Sequence, residues 1–136
     1  MSSIPSFDPY ILIVDDNPDT QFILSRILEA LGWESDSAGS GVAALEKIAQ
    51  RPPALILLDV MMPRMNGFET LARLKRDPST SPIPVIIISA LGHDRRFIRL
   101  GACDVLPKGQ FTLPDIQNAV EHVLGESSGS TPTKVG

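Results

Sequence analysis

Four aliphatic runs without alternation constrain this chain more than any other feature. Tyr10-Ile11-Leu12-Ile13-Val14 leads into Asp15-Asp16, Ala54-Leu55-Ile56-Leu57-Leu58 into Asp59, Ile83-Pro84-Val85-Ile86-Ile87-Ile88 into Ser89, and Cys103-Asp104-Val105-Leu106-Pro107 into Lys108. A strand that is apolar at successive residues has no face to give to water. Each run therefore reads as a strand covered on both sides, the environment of a parallel sheet between helices. The carboxyl ends of parallel strands share one edge. Three carboxylates, a hydroxyl and an ammonium, widely separated along the chain, are thus expected in one pocket.

Helical periods fill the intervals. Asn17 reads as an N-cap with Pro18 at the first helical position, Ile23, Leu24, Ile27, Leu28 and Leu31 form the apolar stripe, and Gly32 ends the helix. Trp33 to Asp36 reads as a short strand, and Val42, Leu45 and Ile48 mark a second helix after Ser40. A third, with Phe68 and Leu71 on its inner face, runs from near Gly67 to Asp77-Pro78. The fourth helical segment, His93 to Leu100, is short. Ile116, Ala119, Val120, Val123 and Leu124 follow i, i+3, i+4, i+7, i+8 behind a Thr112/Asp115 capping box, and Gly125 closes that last helix.

Five strand-helix repeats with right-handed crossovers give an α/β fold. An eight-fold barrel takes about 250 residues, so 136 residues favour an open sheet. The expectation is a five-stranded parallel sheet of order 2-1-3-4-5, flavodoxin-like, with helices on both faces, a shortened fourth helix and a switch point between strands 1 and 3. Residues 1–7 are expected to be an N-terminal extension, 8–125 the folded domain, and 126–136, rich in Ser, Gly, Thr and Pro, a flexible tail or truncated linker.

A net charge of −4 lacks the basic excess that a phosphate backbone requires, so no direct nucleic-acid contact is expected. The single cysteine, Cys103, excludes an intramolecular disulfide and a Cys-rich zinc site, and reads as a small core residue. No run approaches the ~20 apolar residues of a membrane span, and Met1 to Phe7 carry no secretory signal. A cytoplasmic location with no membrane contact is expected.

Two carboxylates about 4 Å apart repel by ~4 kcal/mol at an effective dielectric of 20. Three in one pocket raise some pKa values or recruit a cation, and a hard divalent ion such as Mg2+ suits a few carboxylates with open positions for a phosphoryl donor. Lys108 and Ser89 offer a compact charge and a hydroxyl to phosphoryl oxygens, and a carboxylate can serve as covalent nucleophile.

Leu12-Ile13-Val14-Asp15-Asp16, Leu57-Leu58-Asp59-Val60-Met61-Met62-Pro63, Asn66-Gly67, Ile88-Ser89-Ala90, Gly101-Ala102 and Pro107-Lys108, in this order, resemble the receiver domain of a two-component response regulator over residues 8 to 125. The resemblance implies that Asp59 is the phosphoacceptor, charged by a sensor histidine kinase, a phosphotransfer protein or a small donor. It implies Mg2+ bound by Asp16 and Asp59 directly, by Asp15 directly or through water, and by the backbone carbonyl of Met61. Ser89 and Lys108 would hold phosphoryl oxygens, and Ala90 would leave room for the incoming group. The chain would then be a signalling switch rather than an enzyme, catalysing only its own phosphoryl transfer and dephosphorylation. A homodimer and the output partner are left open.

The chain departs from the family pattern at three places. Val105 stands where an aromatic residue is usual, Lys108 is followed by Gly109-Gln110-Phe111 instead of a proline, and the interval from Ser89 to Gly101 is about three residues short. The alternative function is therefore a constitutive protein-interaction scaffold with little phosphorylation response.

Overall fold

Five strands, β1 (Tyr10–Val14), β2 (Glu34–Ala38), β3 (Leu55–Asp59), β4 (Val85–Ser89) and β5 (Asp104–Pro107), form one parallel sheet of order β2-β1-β3-β4-β5, as the sequence predicts. The structure is a computed structural model and describes residues 9–60, 67–89, 96–108 and 112–125. Val14 pairs with Ala38 on one side and Leu58 on the other, Asp59 with Ile88, and Ser89 with Pro107. The carboxyl ends are thus aligned along one edge.

Side-chain alternation sends each strand's residues into two separate cores. Leu12, Val14, Ile56, Leu58, Val85, Ile87 and Val105 pack with Ala44 and Ile48 of α2 (Gly41–Gln50), Leu71 and Leu74 of α3 (Gly67–Arg76) and Phe97 of α4 (Arg96–Arg99). Ile11, Ile13, Leu55, Leu57, Ile86 and Ile88 meet Leu24 and Leu28 of α1 (Pro18–Ala30) and Ile116, Ala119 and Val120 of α5 (Leu113–Val120). Each such aliphatic side chain, wholly removed from water, contributes roughly 1.5–3 kcal/mol.

The helices start where their caps dictate. The Asn17 side chain accepts from the Asp19 N–H at 2.8 Å with Pro18 behind it, Ser40 accepts from Ala43, and Thr112 and Asp115 form the reciprocal capping box. Gly32, at φ +91°, turns the chain out of α1 in a conformation that costs other residues about 1–2 kcal/mol. The short α4 falls below the length at which helices hold themselves. Its anchor is Phe97, fully buried and stacked on Phe68 of α3 with ring centroids 4.6 Å apart and planes at 21°.

Several expectations are corrected. β2 runs from Glu34 to Ala38 and excludes Trp33. Ile23 and Val42 are exposed, because Leu24 and Leu28 in α1 and Ala44 and Ile48 in α2 define the inward faces. Cys103 is exposed instead of lying in the core, since it occupies the turn before β5 and Ala102 points inward in its place. The last helix widens at Glu121–Gly125 into a π-helical turn that still buries Leu124. Residues 1–8 and 126–136, and His93 of the fourth segment, lie outside the described residues.

β2 is one border of the sheet and differs in kind from the others. Its Glu34 and Asp36 are exposed and pair with Arg51 (3.2 Å) and Lys47 (3.0 Å) from the end of α2.

At the start of α3, Gly67 abuts the residue that follows Asp59. A β-carbon there would collide with the Val60 main chain and side chain. In an open helical position Gly→Ala stabilises by about 1 kcal/mol. Gly67→Ala is expected to do the opposite and destabilise by roughly 1–3 kcal/mol in urea denaturation. An unchanged or raised midpoint would contradict this close approach.

Candidate functional site

The polar residues that end the apolar runs assemble because the strands end together. Asp15 follows β1, Asp59 closes β3, Ser89 closes β4 and Lys108 follows β5. Two backbone bonds carry the ladder a step further: the Asp15 N–H donates to the Ala38 carbonyl (3.0 Å) and the Lys108 N–H to the Ser89 carbonyl (2.8 Å). Lys108 Nζ donates to Asp59 Oδ2 at 2.7 Å and lies 3.2 Å from Asp15 Oδ2. Both carboxylates are almost completely buried, at 1% and 2% exposure. Asp16 is exposed, and one carboxylate oxygen from each of Asp15, Asp16 and Asp59 lies within 4.8 Å of the other two. Ser89 is fully buried at the neighbouring strand end. Met61 and Ala90 fall outside the described residues.

Burial pushes the Asp15 carboxyl above its ordinary pKa, and the nearby Asp59 charge adds to the rise. The Asn17 N–H, donating to Asp15 Oδ1 at 2.8 Å, and the Lys108 ammonium pull the other way. For Lys108, burial alone would lower the pKa, but the hydrogen bond to Asp59 and the two carboxylate charges outweigh it and the net shift is upward. The ammonium is thus charged at neutral pH and offsets part of the repulsion in the pocket.

The donor set fits a hard cation. Oxygens on opposite sides of a magnesium ion stand about 4 Å apart, twice the metal–oxygen bond. The three oxygens, all within 4.8 Å of one another, are grouped on that scale. Asp16 has no hydrogen-bond partner for its carboxylate among the described residues, so its side chain can turn toward an ion. Two contacts escaped sequence reasoning, the Asn17 amide on Asp15 and the Gln21 side chain on the Asp15 carbonyl. Asn17 was legible only as a helix cap, and nothing in the sequence singled out Gln21.

A raised folded-state pKa means that ionised Asp15 costs stability. The cost is absent below the ordinary carboxylate value of 3.8 and develops as pH rises through that value toward the folded pKa. In metal-free buffer Asp15→Asn is therefore expected to raise the thermal midpoint at pH 7, with the gain shrinking to nothing at acid pH. Thermal melts across pH check this, and a lowered midpoint at pH 7 would show that the pairing with Lys108 dominates.

Residues 11–121 match the family model for the response regulator receiver domain. The chain is 39% identical over 103 residues to the DNA-binding dual master transcriptional regulator RpaA of Synechocystis, covering 74% of this chain and 43% of that protein. Less than half the length of the first relatives is thus spanned. Against the polar-differentiation response regulator DivK of Brucella ovis, identity is 30% over 119 residues, covering 86% of this chain and 97% of the relative. The receiver domain of a sensor histidine kinase from Pseudomonas aeruginosa, solved with magnesium coordinated in its active site cleft, superposes with a TM-score of 0.77 at 25% identity, covering 86% and 98% of the two chains. With the family model spanning most of its length and DivK matched almost from end to end, this chain belongs to the response regulator receiver domains of two-component signalling.

Proposed function

We propose that the chain is a cytoplasmic, phosphorylatable switch in which Asp59 accepts the phosphoryl group from a sensor histidine kinase or phosphotransfer protein. The observation that carries this reading is the Asp59 carboxylate itself, buried at a strand end, 2.7 Å from the Lys108 ammonium and grouped with two further carboxylates. In the transfer, an Asp59 carboxylate oxygen bonds to phosphorus as the donor's P–N bond breaks, and the electron pair leaves on the imidazole nitrogen. Mg2+ held by Asp16 and Asp59 directly, by Asp15 directly or through water, and by the Met61 carbonyl would offset the charge that a phosphoryl donor brings into this pocket. Lys108, already on Asp59, transfers its hydrogen bond to a phosphoryl oxygen, and the Ser89 hydroxyl donates to another.

Incubation with acetyl phosphate and Mg2+ is expected to add one phosphoryl group by intact mass, with no addition in EDTA or in Asp59→Asn. Labelling of the Asn variant equal to that of the wild type would remove Asp59 from this role.

The response is expected to be local. Val105 is buried at 4% exposure in the same core as Phe97 and has no ring to swing, so a displacement at Ser89 spreads through packing around α4. Amide shifts on adding a beryllofluoride mimic are expected at Ser89, Phe97–Ala102 and Lys108. Silence there with the mimic bound would favour the scaffold function instead.

A further inference from the structure

We infer that Gln21 is a positioning residue for the metal-binding carboxylates, an inference that rests on the Mg2+ site proposed above. Gln21 lies in the first turns of α1, half-buried, and its side-chain Nε2 donates to the Asp15 carbonyl oxygen at 2.6 Å and reaches the Ala38 carbonyl at 3.5 Å. Both partners are carbonyl oxygens, so the amide must present its nitrogen to them. Among the described residues no backbone N–H donates to the Asp15 carbonyl, which stands just past the end of β1. Among the described residues it is Gln21 that satisfies this carbonyl at the point where the chain leaves the sheet.

The consequence falls on Asp16. Its carboxylate is exposed and has no hydrogen bond of its own among the described residues, so what aims it is the backbone that carries it. The peptide plane between Asp15 and Asp16 contains the carbonyl that Gln21 holds. Fixing that oxygen therefore fixes the direction in which the Asp16 main chain departs. The other end of the same short loop is pinned independently, by the Asn17 N–H on Asp15 Oδ1 (2.8 Å) and by the Asn17 side chain on the Asp19 N–H (2.8 Å). Gln21 also joins the Asp15 carbonyl to the end of β2, because the Ala38 oxygen near its amide already accepts the Asp15 N–H. One side chain of α1 thereby spans two strand ends and holds the loop that carries the outermost ligand. Preorganised ligands bind more tightly because less freedom is lost on binding.

Gln21→Met keeps the length and helix propensity of the side chain and removes the donor. Titration with Mg2+, followed by Trp33 fluorescence and by amide shifts at Asp15 to Asn17, is expected to give a dissociation constant about three- to tenfold weaker than wild type, the size of one lost hydrogen bond. Ile27→Ala, which trims packing of the same helix against the core without touching the loop, controls for stability. It is expected to lower the melting midpoint while leaving Mg2+ affinity unchanged. In the wild type, the Gln21 side-chain amide protons should shift along the same titration curve as Asp16. Wild-type Mg2+ affinity in Gln21→Met, equal weakening in Ile27→Ala, or Gln21 side-chain protons that do not follow the titration would each overturn the inference while leaving the Mg2+ site standing. Failure of the wild type to bind Mg2+ would overturn both.

Discussion

Two carboxylates withdrawn from water at neighbouring strand ends, Asp15 and Asp59, are held together by one ammonium, Lys108, and the site is arranged around that imbalance of charge. A buried ion pair alone adds little net stability. Here two acids share one base, so the pocket stays short of positive charge. The shortfall suits the pocket to a cation, and strands packed on both faces prevent the repelling groups from separating. The apolar runs supply the rigidity that the polar ends consume, which explains why the most hydrophobic segments of the chain deliver its most charged residues.

Much of this was legible in the sequence, for identifiable reasons. β1, β3 and β4 could be read directly because strands buried on both faces carry unbroken aliphatic runs, and the capping residues Asn17, Ser40 and Thr112 marked helix starts by side-chain chemistry alone. β2 was harder. A border strand with exposed Glu34 and Asp36 has no aliphatic run, and its extent is set by pairing with β1. Ile23 and Cys103 were misplaced because composition cannot decide between adjacent positions on a helix face or a turn; the tertiary neighbours of Leu24 and Ala102 decide it. In the site, the identities of Asp15, Asp59 and Lys108 were readable. The sharing of Lys108 between two carboxylates and the grip of Gln21 on the Asp15 carbonyl depend on distances that no spacing rule encodes.

The charged border at β2 has a consequence beyond the domain itself. An unpaired strand edge is a template onto which another chain can add, and sheets that expose one are prone to edge-to-edge aggregation. Glu34 and Asp36 line this edge, tied to Arg51, which caps α2, and to Lys47 within it. A second copy approaching in register would have to set its own acidic residues against them before gaining a backbone bond. Continuous sheet growth from this side is therefore disfavoured by like charge, and the border strand guards itself with the acidic residues that deprived it of an aliphatic run.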